Sequence, residues 1–199
     1  MKIIAFLTII LLFRAVPSAD TATPRFTSTE STALLEYARA CLLARLSGLP
    51  QPEPPGFALK RQHACFVTFF QAKRVFACFG GFTPRRANLA GEIAENVRLA
   101  LSNDARSRAV NRETAVSAGV QITIPLGQPE RVEDYRSIDP LREGMFVESG
   151  DSGVAFVPGE ARTAHWAFRE ALRRLGVNNP ASARVYRFRA VAISTRAGT

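Results

Sequence analysis

Leu34, Leu35, Ala38, Cys41, Leu42 and Leu46 recur at spacings of three and four, the apolar stripe of an amphipathic helix. Thr27-Ser28-Thr29-Glu30 in front of it has the spacing of a capping box, and Gly48 with Pro50 ends it. The proline-rich stretch 50–56 has too few backbone donors to join a sheet and reads as an extended strap within one domain. Two aromatic and β-branched runs, Cys65–Phe70 and Arg74–Phe79, flank Gln71-Ala72-Lys73 and predict a hairpin that Gly80-Gly81 breaks. Asn88 caps a second helix with Leu89, Ile93, Val97 and Leu101 on one face, stopped by Asn103-Asp104. Ala118–Leu126 reads as a strand, and 127–143 as turns. Met145–Val147 and Val154–Val157 form a second hairpin around Ser149–Gly153. A third helix runs from about Arg162 to Leu175 with Gly176 as its C-terminal cap, and Arg184–Ile193 alternates as a last strand. Hairpins dominate and no strand–helix–strand series appears, so the fold class is α+β: an antiparallel sheet of hairpins with about three packed helices.

The first 19 residues have a different pattern. Lys2 precedes an apolar run from Ile3 to Phe13, and Ala15–Ala19 offers small residues for cleavage, the layout of an export signal. Residues 20–31 then form a lead-in and 32–195 the folded domain. The expected location is the periplasm or the exterior, with a membrane involved only if the segment stays uncleaved. The remaining composition is that of an ordinary globular domain, 47% hydrophobic and 22% charged. The net charge of +9 is carried almost wholly by scattered arginines, because Lys2, Lys60 and Lys73 are the only lysines. Nucleic-acid binding calls for clustered cations with interleaved aromatics, so no nucleic-acid partner is expected. Zinc spacing, a glycine-rich phosphate loop and a serine elbow are all missing from the sequence, and neither metal nor cofactor is expected.

Along the predicted elements the chain resembles the AMMECR-type domain, the family named for a human chromosomal region linked to Alport syndrome and elliptocytosis. Bacterial relatives sit in gene neighbourhoods with Memo-like and radical-SAM proteins. Leu34–Arg39 is similar to the family's opening helix and Phe66-Val67-Thr68 to its first hairpin strand. Val75-Phe76-Ala77-Cys78-Phe79-Gly80 stands where the family carries Leu-Arg-Gly-Cys-Ile-Gly, and Asp104-Ala105-Arg106 where it carries Asp-Pro-Arg. Pro158, Trp166, Leu175-Gly176-Val177 and Tyr186-Arg187-Phe188 continue the series in order, over roughly 32–193. Phe76 replaces the motif's Arg, Ala77 its first Gly, Ser107 a Phe and Gly159 a Gln. The resemblance therefore implies the fold, whereas the family's activity is itself unsettled and does not transfer through an altered motif.

Cys78 holds the motif position and admits three readings. It is a nucleophile near the freed amides of Gly80-Gly81, with His63 or His165 as base. Alternatively it is bridged to Cys65: if Phe70 pairs with Lys73, the two cysteines fall opposite each other, and export permits a disulfide. Or it is a small core residue. Trp166 is expected in the core with His165 beside it at the surface. The leading functional expectation is a cleft for a small or peptide-like ligand beside the hairpin, lined by Phe76, Cys78, Gly80 and Arg106. The alternatives are acyl or related transfer at Cys78, and an inactive adaptor whose basic face meets an acidic protein.

Overall fold

The computed structural model describes residues 23–72 and 74–195; the predicted export segment 1–19 and Lys73 of the predicted turn lie outside them. Four helices are present among the described residues: α1 (Ser28–Leu46), α2 (Leu89–Asn103), α3 (Arg112–Val116) and α4 (Ala164–Leu175). The strands are β1 (Phe66–Gln71), β2 (Arg74–Gly80), β3 (Gly119–Pro125), β4 (Glu130–Val132), β5 (Gly144–Ser149), β6 (Ser152–Phe156), β7 (Arg184–Phe188) and β8 (Ala190–Ser194). They form two antiparallel sheets of four strands each, in the orders β2-β1-β3-β8 and β4-β7-β5-β6. The α+β class holds, but with two sheets in place of one.

The predicted last strand is where the second sheet was hidden. Arg184–Ile193 is one alternating run in sequence, yet β7 pairs with β5 and β4 in one sheet and β8 with β3 in the other. The chain changes sheets at Arg189, whose carbonyl accepts from Leu126 N–H at 2.8 Å, where the β3–β4 connection makes the same crossing. A period of two continues through such a crossing, so alternation alone does not reveal it. β4 comes from the segment that reads as turns, and α3 from a stretch between the second helix and the next strand to which no element is assigned, because each is too short to show a period.

Local signals were kept where capping chemistry fixed them. Thr27 Oγ1 accepts from Glu30 N–H at 3.1 Å and Glu30 Oε2 from Thr27 N–H at 2.9 Å, completing the capping box of α1. Asn88 Oδ1 accepts from Gly91 N–H at 2.8 Å at the start of α2, and Gly176 ends α4 in the left-handed region at φ 67. The first core lies between sheet one and α1–α3, with Leu34, Leu42, Phe69, Ile93 and Ile122 buried. Cys41 sits there as an apolar stripe residue. The second core, around Met145, Val147, Phe168 and Leu172, lies between sheet two and α4. Trp166, expected in the core, is 49% exposed, its ring meeting Phe156 edge-on at 5.5 Å. It occupies the first turn of α4, beside the buried stripe of Ala167, Phe168 and Ala171 and outside it.

The helix-free faces of the two sheets meet through phenylalanines. Phe66 alternates away from Val67 and Phe69, and Phe146 away from Met145 and Val147. Phe66 stacks on Phe188 at 5.9 Å, while Phe82, from the loop after β2, packs edge-on against Phe66, Phe146 and Phe188. This cluster is small, and beside it the sheets part.

Candidate functional site

The space beside the phenylalanine cluster is a cleft of about 710 Å³. The first half of the chain contributes Phe66, Cys78, Gly80, Phe82 and Arg106 to its wall; the second contributes Phe146, Ala155 and the α4 arginines Arg173 and Arg174. Its size is that of a small-molecule site, and aromatic walls with a few polar groups are the usual lining of one.

The β1–β2 hairpin sets what faces this cleft. Its register pairs Thr68 with Cys78, Phe69 with Ala77 and Phe70 with Val75, which leaves Phe76 as an unpaired bulge. The turn closes with Gln71 opposite Arg74, where the prediction put Phe70 opposite Lys73, which moves the register by two residues, and the bulge moves it by one more and so exchanges the faces. Cys78 consequently lies opposite Thr68, on the cleft face, and Cys65 lies on the helix-packed face with Val67 and Phe69. The expected Cys65–Cys78 bridge is corrected on this ground: the two sulfurs are on opposite sides of the sheet, and Cys41, Cys65 and Cys78 are all free thiols. Phe76 is corrected too. The bulge turns it into the first core, where it stacks on Phe69 at 6.2 Å, away from the cleft.

Gly80 is not a break within the strand but its last paired residue, opposite Phe66. A Cβ there would collide with the backbone of Phe66 and the carbonyl of Cys65. Glycine is required for close approach of the two strands, beside the Phe66 ring that lines the cleft wall.

Cys78 has little of what a nucleophile needs. Its Sγ is 3.1 Å from Thr68 Oγ1, and its N–H donates to Asp104 Oδ2 at 2.9 Å. Burial pushes the thiol up to about 12, and the nearby Glu160 charge pushes the same way; the Thr68 hydrogen bond and Arg106 oppose them without prevailing. Neither histidine reaches it. His63 packs edge-on against Phe26 at 6.4 Å, and burial and then Arg61 hold its imidazole below the usual histidine range. His165 Nδ1 shares a 3.0 Å hydrogen bond with Tyr135 on the surface of the second half. Neither lines the cleft. The pairing of Cys78 with His63 or His165 as base is therefore corrected, because the chain places both rings elsewhere.

Arg106 stands where expected, and two acids hold it. Its Nε donates to Asp104 at 3.0 Å and 3.1 Å, and its Nη2 to Asp104 Oδ2 at 2.7 Å. Asp104 Oδ1 also accepts from Arg106 N–H at 3.0 Å, capping the short 3-10 turn Ala105–Ala109. Burial works against the Asp104 charge, but the Arg106 hydrogen bonds outweigh it, and its carboxyl lies below the ordinary range. Glu160, from the loop after β6, approaches Arg106 Nη1 with Oε1 at 3.9 Å, and its Oε2 accepts from Val157 N–H at 3.2 Å. Burial raises its carboxyl against the pull of Arg106, the Val157 N–H and Arg174. Two carboxyls with opposite shifts flank one guanidinium at the joint between the halves.

Sequence reasoning missed Glu160, Phe82, Phe146 and the site role of Arg173 and Arg174. An aromatic residue directly after Gly80-Gly81 was a readable signal for Phe82. A single acid in a loop carries no periodicity, so Glu160 had none. Also missed was the fastening of the loop that carries Phe82. Fully buried Glu92 accepts from Arg85 N–H at 2.7 Å and Arg86 N–H at 3.0 Å, and Asn96 donates to the Cys65 carbonyl at 2.8 Å. Among the described residues no His/Cys/Asp/Glu group is arranged to hold a metal, and no helix is long and apolar enough to cross a membrane.

A domain of two facing antiparallel sheets, each backed by helices and parted on one side by a ligand-sized cleft, is the class this geometry defines. The AMMECR1 family model matches residues 35–193, and the chain belongs to the AMMECR1 family. A Thermotoga maritima protein is 31% identical over 102 residues, which span 51% of this chain and 58% of that protein. The crystal structure of the uncharacterized protein PH0010 from Pyrococcus horikoshii shares the fold, with a TM-score of 0.63 at 23% identity, covering 80% of this chain and 88% of that one.

Proposed function

We propose that the protein is a binding protein that holds a small or peptide-like ligand in the cleft between its sheets. The observation that carries this is the lining itself: Phe66, Phe82 and Phe146 offer apolar surface, and Arg106, Arg173 and Arg174 offer charge, in one space of about 710 Å³. Thiolate chemistry is the weaker reading. A thiol raised to about 12 is almost wholly protonated at neutral pH, and its polar neighbours are a hydroxyl, two acids and an arginine.

The test is a screen of small aromatic compounds, neutral and charged, by ligand-observed NMR against the wild-type protein and Ala155→Trp. Ala155 lines the cleft beside the phenylalanine cluster, so the indole occupies cleft space, and circular dichroism checks that the fold is kept. Hits that vanish in the variant support the reading, and hits indifferent to it, or none at all, overturn it.

The reading includes export. Its support is the Lys2-led apolar run ahead of Ala15–Ala19. An intact mass of the protein from its native cells, lacking about the first 19 residues, is the expected result; full-length chain retained in the cytoplasm sinks it.

A further inference from the structure

The guanidinium of Arg106 is used on one edge only. Nε and Nη2 are engaged by Asp104, whereas Nη1 has only Glu160 Oε1 at 3.9 Å, beyond hydrogen-bond reach. That nitrogen carries two N–H donors with no hydrogen bond among the described residues, on a side chain 30% exposed in the cleft wall. An arginine fixed by a bidentate acid on one edge and open on the other is preorganised for an acceptor that arrives from the cleft.

The charges of the site limit what that acceptor is. Glu170 binds both Arg173 and Arg174, at 2.7 Å and 2.9 Å. With Asp104, Glu160 and Glu170 ionised, the three acids cancel the three arginines. A dianion such as a phosphate monoester would face three carboxylates with no surplus cation. A cation would meet open donors and no open acceptor on Arg106. When Glu160 holds its proton the site has one positive charge in surplus, which a single negative charge matches and a dianion exceeds. The apolar remainder of the ligand has the edge-to-face rings of Phe82, Phe66 and Phe146 to lie against.

We propose that the cleft recognises an amphipathic monocarboxylate, its carboxylate accepting from Arg106 Nη1 and its apolar body lying on the phenylalanine cluster. The inference rests on the binding reading above and narrows it. The same chemistry is carried by a free aryl- or alkyl-carboxylic acid and by the C-terminus of a peptide ending in an apolar residue.

The experiment measures the affinities of four probes by NMR titration of the folded protein: 3-phenylpropanoate, N-acetylphenylalanine, N-acetylphenylalaninamide and phenyl phosphate. The expected result is that at least one carboxylate binds about tenfold or more tightly than the neutral amide, the size of a charge-assisted hydrogen bond, and that phenyl phosphate gains nothing further. Preference for N-acetylphenylalanine over 3-phenylpropanoate points to a peptide terminus, and the reverse to a free acid. Glu160→Gln keeps Arg106 in place and removes the acid that competes for it. It should tighten the carboxylates severalfold and leave the amide unchanged. Arg106→Lys should lose the carboxylate preference, with circular dichroism checking the fold. Equal binding of amide and acid, abolished by Ala155→Trp, overturns the carboxylate inference and leaves the binding reading standing. So does an indifferent Glu160→Gln. If neither carboxylate binds at millimolar concentration the inference falls, and the wider screen decides the binding reading by itself.

Discussion

Glu92, fully buried, and Glu160, largely buried, are both acids beside an arginine, and they lie on opposite faces of the first sheet's hairpin. Around Glu92 every partner is close. Two backbone N–H groups donate to one oxygen, Arg85 Nη2 lies 3.5 Å from the other, and Asn96 ties the group to Cys65 and Arg85. Around Glu160 the valences are half used: one N–H at 3.2 Å and a guanidinium held off at 3.9 Å. The first arrangement is closed and can only hold a loop in place. The second is open, at a cleft, and has capacity left for a ligand. A satisfied buried network rigidifies, while a partly satisfied one is costly unless something else uses it.

Breaking the closed network should have the largest effect. Glu92→Ala strands the N–H groups of Arg85 and Arg86 and removes the acid opposite Arg85, so a loss of about 3 kcal/mol or more is expected in urea unfolding. A loss below about 1 kcal/mol would mean that the loop carrying Phe82 is fastened by something other than this acid. Gly80→Ala comes next. The added methyl meets Phe66 backbone, which cannot swing aside like a side-chain tip, and about 1–3 kcal/mol of destabilisation is expected, together with altered NMR shifts at Phe66. Unchanged stability would put the strands further apart there than described.

The helices that frame the closed network were readable in the sequence, although the Glu92 network itself was not. Capping chemistry marked the starts of α1 and α2, and period-four stripes marked their buried faces, because these are local effects that neighbours in sequence decide. The cleft was only partly readable. Cys78, Gly80 and Arg106 were placed on its wall through resemblance, but Phe76 was misplaced by a bulge of a single residue. Strand register depends on turn geometry, and one residue of slip exchanges the faces of everything beyond it. The other wall comes from a second sheet that one uninterrupted alternating run concealed at Arg189. The acids and arginines of the site lie on different halves of the chain, and only folding brings them together.

The open cluster should show its difference through pH. Burial raises Glu160, so the folded protein keeps this proton at a pH where the unfolded chain has lost it. The stability it contributes is complete below the unfolded value near 4.5 and is lost as pH rises through the folded one. Glu160→Gln, which cannot ionise, should match wild type in thermal stability at about pH 4 and exceed it increasingly toward about pH 8. Glu95 and Glu170 run the opposite way: arginine hydrogen bonds hold both at about 2, so their contribution is present above about 4.5 and fades as pH falls. That acid limb should be common to both proteins. Wild type more stable than Glu160→Gln at about pH 8, with the gap closing in acid, would mean that Glu160 is held ionised, as a closed partner of Arg106, and the contrast with Glu92 would disappear.

The smallest expected effect is at Cys78, and it bears most directly on what the open region is for. Cys78→Ser preserves a group able to share a hydrogen bond with Thr68 Oγ1 and changes the side-chain volume little, so folding should be nearly unaffected. In the wild-type protein the thiols of Cys41, Cys65 and Cys78 are raised to about 11, 12 and 12. Only the thiolate reacts, so a maleimide or iodoacetamide at neutral pH should modify the native protein slowly and all three sites on unfolding. The intact mass should be the same before and after reduction, since all three sulfurs are free. Fast, selective modification of Cys78 would require an anion-stabilising partner that the Thr68, Asp104, Arg106 and Glu160 surroundings do not supply. It would turn the cleft from a binding surface into a site of thiol chemistry. Slow modification that is slowed further by a bound carboxylate would place ligand and sulfur in one space, with Arg106 rather than Cys78 as the group that recognises it.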